Sequence, residues 1–298
     1  TPSTASDSNP PEADNLTQRV LNWADTMREP GAPVWRYRMD AGSDATVFNS
    51  CFAAHLLHLF GRLDDLSDRD RADWVHYLQE FQSPDSGLFS DPQISNNSQQ
   101  RPQEHMDWQL TTFCLTALDA LGAEPLHDLS FAMQWTHKET LFSWFESLDW
   151  YNPWHCGNKV MFVGVFLYFL SERRNNHEAR TALNWWFEWL DQHQNSRSGY
   201  WGKGKHAAYF AGMGGAYHEY VIYNALSQPI QYREQIVDST LRLQQMDGLF
   251  APPRSGGSCD DLDAVDILVN SYHNLDYRRS DITHALERAL QGILNNQN

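Results

Sequence analysis

The stretch Cys259-Asp-Asp-Leu-Asp-Ala-Val-Asp266 puts four carboxylates, Asp260, Asp261, Asp263 and Asp266, into seven residues and runs straight on into an apolar segment. Carboxylates crowded at the mouth of a buried helix cannot all ionise freely, since like charge and desolvation both favour the protonated form. A retained proton makes a general acid; the same oxygens fully ionised make a cation site. At helical spacing Asp260, Asp263 and Asp266 share one stripe, and Asp261 projects about 100° away. A simpler role competes. Acids in a first helical turn gain about 0.3–1 kcal/mol each from the helix dipole, and Ser258 with Asp261 fits the Asp form of a capping box. Capping accounts for one or two of the aspartates. It does not account for Asp263 and Asp266, which lie deeper, beside Ala264, Val265, Ile267 and Leu268.

Other polar clusters precede or open apolar segments. His105, Asp107 and Trp108 begin "HMDWQLTTFCLTALDALG". His155, Cys156, Asn158 and Lys159 open "HCGNKVMFVGVFLYFL", where His155 and Asn158 can equally be helix caps. His218 and Glu219 sit in "GGAYHEYVIYNAL" among Tyr217, Tyr220 and Tyr223, and Gly212, Gly214 and Gly215 permit close backbone approach. A histidine on such a helix is as readily a satisfied core residue as a catalytic base. "GKGKH", with Lys203 and Lys205, is the densest cationic loop; it suits a diphosphate or carboxylate at a cavity rim, or simply a solvated turn.

The elements that must position these groups recur. The turns "QSPDSGLF", "ESLDWYNP", "SRSGYWG" and "QQMDGLF" return at intervals of roughly fifty residues, the range of repeated supersecondary units. Each is followed by a polar cluster and an apolar helix, then by an amphipathic one. The apolar set runs Phe48–Gly61, His105–Gly122, His155–Leu170, Gly214–Leu226 and Cys259–Tyr272. These read as inner helices, apolar nearly all round. The amphipathic set includes Asp70–Gln82, His177–His193 and Pro229–Gln245, with Leu16–Met27 and Asp281–Leu294 bracketing the chain. Trp185, Trp186 and Trp189 belong to this outer layer. The expectation is an all-α, single-domain α/α toroid, a barrel of about five to six helical hairpins over residues 16–298, behind a disordered tail or linker at 1–15. Inner helices that start at one end bring His105, His155, His218 and the aspartates to one cavity.

The turns resemble the QW-type and DGGF repeats of the terpenoid cyclase and protein prenyltransferase superfamily, whose fold is an α/α toroid. The resemblance extends from about Val47 onward. In class II cyclases an Asp-x-Asp-Asp-Thr-Ala motif opens an inner helix, and its middle acid protonates an alkene or epoxide. Laid on the shared Ala-Val, that motif falls on Cys259–Ala264 and the middle acid on Asp261, with Cys259, Leu262 and Asp263 departing from it. Asp261 is then the implied proton donor, held by Asp260 and Asp263. The prenyltransferases hold zinc with an Asp-x-Cys at this place and a later histidine; here Cys259 precedes the acids, so the spacing differs. "DDLD" is also similar to the magnesium–diphosphate motif of class I synthases, which have another helical fold. Magnesium or zinc is therefore the only cofactor the resemblance raises, and none is firmly implied.

Three functions remain in play: an isoprenoid cyclase with aromatic residues guiding a cation, a carbohydrate-active lyase or hydrolase with Tyr217 or Tyr220 and His218 as acid and base and Asn158 neutralising a uronate, and a non-catalytic binding toroid. The 38 acids against 22 Lys and Arg, for a formal charge of −16, argue against nucleic acid and anionic membranes. The longest apolar run, Val160–Leu170, is shorter than the ~18 residues of a transmembrane helix. The expected partner is a small molecule, an isoprenoid under the resemblance. Four scattered cysteines with no CxxC pair suit free thiols in the cytoplasm. The start of the chain, which lacks a Met, leaves N-terminal processing open.

Overall fold

A computed structural model describes residues 11–93, 102–252 and 257–296. Among these residues there is no β-strand, only isolated bridges at Arg28–Tyr37, Arg38–Ala45 and Gln82–Phe89. No described helix is long and apolar enough to cross a membrane. The chain divides into two compact units, Thr1–Phe131 and Ala132–Asn298.

The first unit holds α1 (Pro11–Met27), α2 (Val47–Leu59), α3 (Asp68–Gln79) and α4 (Gln103–Ala120). Capping residues place the starts: the Thr46 hydroxyl accepts from Asn49 N at the head of α2, and Ser67 does the same for Asp70 N at α3. Of the expected tail, residues 1–10 lie outside the described residues, and 11–15 already belong to α1. The α2–α4 contact is close enough to set the Cys51 and Cys114 thiols 3.7 Å apart, both buried and free. The Trp74 indole of α3, fully buried, donates to Ser50 Oγ of α2 at 2.9 Å. An unpaired buried indole N–H would be costly, and this bond removes that cost.

The second unit holds α5 (Lys138–Ser147), α6 (Pro153–Glu172), α7 (His177–His193), α8 (Phe210–Ala225), α9 (Arg233–Leu241), α10 (Ser258–Asn274) and α11 (Arg279–Asn295). Helix α6 packs on both α7 and α8, α8 on α10, and α10 on α9 and α11. The sequence periodicity did not single out α5. The outer-layer tryptophans pack inward as expected: Trp186 is fully buried and gives its indole N–H to Val160 O of α6 at 3.2 Å. Trp189 lies 4.4 Å from Phe145 of α5 with nearly parallel rings.

Three of the recurring turns share one device. Gln82, Gln194 and Gln244 each use both amide N–H donors, one on the glycine carbonyl of their own turn and one further along the chain. Gln82 reaches Gly87 O at 3.0 Å and His127 O at 2.8 Å. Gln194 reaches Gly199 O at 2.7 Å and Gln231 O at 3.1 Å. Gln244 reaches Gly248 O at 2.8 Å and Ala285 O at 2.7 Å. A neutral amide is the side chain that can satisfy two carbonyls without burying a charge. The turn glycines take φ of 78°, 75° and 91°, a region that penalises any Cβ. At Gly248 a Cβ would also overlap the Arg288 carbonyl. The aromatic that ends each turn, Phe89, Trp201 or Phe250, is buried. The fourth turn, "ESLDWYNP", lacks the glutamine and the glycine. There the Trp150 indole donates to Phe145 O at 2.9 Å instead.

The inner helices are less uniformly buried than their composition implies. Helix α2 leaves Phe52 and Leu59 exposed, and α10 leaves Leu262 and Val269 exposed. Each buries part of its circumference and presents an apolar stripe on the rest, so a near-continuous apolar sequence here does not mean burial on every side.

Candidate functional site

Helix α10 starts one residue earlier than its acids suggest. Gly257 is its N-cap and makes no side-chain cap bond, so the Ser258–Asp261 capping box does not form. Asp261 turns away from its own helix: its Oδ1 accepts Phe250 N at 2.6 Å and Ala251 N at 3.0 Å. It thereby ties the helix start to the "GLF" turn. In the first unit Thr111 of α4 plays the same part, accepting Phe89 N at 2.9 Å. The residue expected to be the proton donor is thus engaged in a turn-to-helix tether, and its contacts are structural.

Asp260 and Asp263 are different. They are 1% and 3% exposed, and Asp260 Oδ1 and Asp263 Oδ2 have no hydrogen-bond partner among the described residues. Burial, then the charges of Asp260 and Asp266, push the Asp263 carboxyl up to about 8. Burial and Asp261 raise Asp260, and burial raises the half-buried Asp266. At neutral pH the predominant form of Asp263 is the neutral acid, the outcome the crowding of carboxylates leads one to expect.

The unbonded oxygen of Asp263 lies against the bare backbone of Gly214. A Cβ at Gly214 would stand 3.2 Å from Asp263 Oδ2 and 3.6 Å from the Trp154 indole. Three helices therefore meet at this point: α6 brings Trp154, α8 brings the bare backbone of Gly214, and α10 brings the acid. Trp154 is exposed, whereas Gly214 and Asp263 are buried. One position after Gly214's turn-mate Ala216, Tyr217 is close enough to feel Asp266 and Asp263. Burial first, then those charges, push its phenol up to about 12. His218 Nδ1 donates to the Gly214 carbonyl, which leaves Nε2 as the acceptor of the ring. Burial lowers His218 to about 4, so the imidazole is neutral near pH 7. Glu219, next in the helix, is fully buried with neither carboxyl oxygen hydrogen-bonded, and burial holds it well above the usual carboxylate range. It raises the buried Cys156 thiol, which desolvation chiefly pushes up to about 12.

His105, Asp107 and Trp108 lie on α4 of the first unit, His105 and Trp108 buried there, and Asp107 accepts from Gln103 at 2.8 Å. The cap of α6 is Asn152, whose side chain accepts His155 N, rather than His155 or Asn158. Asn158 donates to Trp154 O one turn back at 3.0 Å, and Lys159 is half-buried on the same helix. Tyr220 is buried and gives its hydroxyl to Gly199 O at 2.7 Å, so it serves the repeat turn. Lys203 and Lys205 are exposed. Trp154 was not legible as a site residue; the one hint was its place beside His155 in an aromatic-rich turn, and its partner Gly214 is sixty positions away.

Among the described residues no three His, Cys, Asp or Glu side chains are placed to share a metal ion. Cys259 is exposed while Asp260, Asp261 and Asp263 are buried. Among the described residues the start of α10 therefore assembles no all-protein metal centre.

The chain matches the prenyltransferase alpha-alpha toroid domain over residues 7–101 and 159–298, and it belongs to that family. Its fold class is the all-α, α/α toroid class of that domain. No curated protein and no solved structure matches the chain. The matched residues include Gly214, Tyr217, His218 and Asp263, whereas Trp154 falls between the two matched stretches.

Proposed function

We propose that this protein is an isoprenoid cyclase-like enzyme in which Asp263, and not Asp261, is the general acid. The observation that carries the reading is the buried, unpartnered Oδ2 of Asp263 beside Gly214 and the Trp154 indole. A carboxyl pushed up to about 8 keeps its proton near pH 7 and can still release it. In the proposed step the Asp263 proton adds to an alkene carbon. The π pair forms the new C–H bond, and a carbocation is left on the neighbouring carbon. The faces of Trp154 and Tyr217 then stabilise the cation. Loss of a proton from carbon restores a double bond, and the neutral His218 Nε2 is the acceptor at hand. A weakly basic imidazole suffices, because a carbocation is a very strong acid. The substrate class is a linear isoprenoid small enough to enter beside Gly214, as the family membership suggests in general terms.

A carbohydrate-active reading would use Tyr217 or Tyr220 and His218 as the acid–base pair. It has less support, since Tyr217 is pushed up to about 12, Tyr220 is bonded to Gly199, and His218 Nδ1 is committed to Gly214. The test is product formation by the purified protein on a panel of linear isoprenoids and their diphosphates. Asp263→Asn should lose about 10²–10⁴-fold or more of the turnover while the fold is kept. Equal turnover by Asp263→Asn would rule the assignment out.

A further inference from the structure

A recess opens in the second unit beside the start of α8. It offers about 600 Å³ between the Asn195–Ser198 turn, the 3-10 segment Lys205–Ala208 and the end of α9 with the residues that follow it. None of Trp154, Gly214, Asp260 or Asp263 lines it. Its charged lining consists of Arg197 and Arg242, with no Asp or Glu, in a chain of 38 acids and 22 Lys and Arg. Neither guanidinium forms an ion pair among the described residues, and both residues are exposed. Arg242 Nε donates to the Asp238 carbonyl at 2.9 Å, which anchors that side chain and leaves its terminal amines to the recess. Lys203 and Lys205 flank Gly204 at the rim and add to the positive field. Two unpaired guanidiniums at one concavity make a local anion-attracting spot against the net charge of the chain.

The rest of the lining says what kind of anion. Phe210 and Leu243 give an apolar floor, and the Tyr209 ring is 57% exposed beside it. Asn195, Ser239 and Gln245 contribute neutral amides and a hydroxyl. Asn195 Oδ1 accepts from Arg197 N and Ser198 N, and Gln245 Nε2 donates to Leu243 O, so a purely hydrocarbon tail would desolvate what is left: the Asn195 amino group, the Gln245 amide oxygen and the Ser239 hydroxyl. A ring that carries its own donors and acceptors would use both surfaces. We propose that this recess binds a small organic phosphate with a polar, ring-bearing body, of the nucleoside monophosphate class. The phosphoryl group takes the guanidinium forks of Arg197 and Arg242, the geometry at which arginine excels. The site stands independently of the reaction proposed for Asp263.

The experiment is calorimetric titration of the full chain with adenosine 5′-monophosphate, adenosine and inorganic phosphate. The monophosphate should bind more tightly than either fragment, and its affinity should fall with added salt. Arg197→Ala with Arg242→Ala should weaken it by about tenfold or more, the scale of a lost charge-assisted hydrogen bond. Ala208→Trp fills the recess without removing a charge and should abolish binding. All three residues are exposed, so melting temperatures should stay at the wild-type value. Three results would each overturn the proposal: no binding of the monophosphate, binding indifferent to both variants, or inorganic phosphate binding as tightly as the monophosphate. Geranyl diphosphate outcompeting the monophosphate in the same recess would overturn the polar-body assignment.

Discussion

Asp261 accepts the backbone amide of Phe250 at 2.6 Å, and so joins the start of one inner helix to the aromatic that ends the preceding turn. Two positions further, Asp263 leaves a buried oxygen without a partner among the described residues. Neighbouring aspartates of one motif thus have opposite environments. The first is a tether, and the second is the acid proposed as the proton donor.

The two roles separate by substitution. Asp261→Ala strands the Phe250 and Ala251 amides and should cost about 1–3 kcal/mol in urea denaturation. Asp261→Asn keeps an acceptor oxygen and should recover most of that loss. Turnover per folded molecule should survive both. An Asp261→Asn protein with a wild-type urea midpoint and no turnover would return the general-acid role to Asp261.

Asp263 also sets a pH dependence. Its carboxyl is pushed up to about 8 in the folded protein, against 3.8 for a free aspartate side chain. The folded state therefore binds the extra proton between those limits, and stability falls as pH rises from about 4 through about 8. Asp263→Asn has no such proton. Its stability advantage over the parent should grow across that window and level off above it, as thermal melts from pH 5 to 9 would record. Parallel melting curves for the two proteins would contradict the raised pKa.

Gly214→Ala tests the space at the corner. The added methyl stands 3.2 Å from Asp263 Oδ2, so the carboxyl must give by a few tenths of an ångström. Alanine gains up to about 1 kcal/mol of helix propensity over glycine, which offsets the crowding. The expected outcome is a stability change near zero together with a marked loss of turnover on isoprenoid substrates. Unchanged turnover would mean that substrate does not use this corner.

The glutamine clamps should matter for stability alone. Gln244→Ala removes bonds to Gly248 O and Ala285 O and should cost about 1–3 kcal/mol by chemical denaturation. Gly248→Ala should cost more, since it adds a left-handed φ of 91° to an overlap with the Arg288 carbonyl. Turnover per folded molecule should be unaffected in both.

Periodicity and turn chemistry determined the helical layers. The apolar and amphipathic segments each became a helix, most within a few residues of the expected bounds but Pro229–Gln245 only over Arg233–Leu241, because local spacing decides which face of a helix can be buried. The glutamine and glycine of the repeated turns were legible for the same reason: a positive φ and a two-donor amide are demands a turn makes on its own residues. The crowding of Asp260, Asp263 and Asp266 likewise implied that one acid keeps its proton. The identity of that acid was decided by tertiary structure alone. Phe250 lies across a turn from Asp261 and claims it, while Gly214 and Trp154 arrive from two other helices and leave Asp263 open. Helical spacing says which direction a side chain points, but only packing says what waits there, and a carboxyl's proton depends on what waits there.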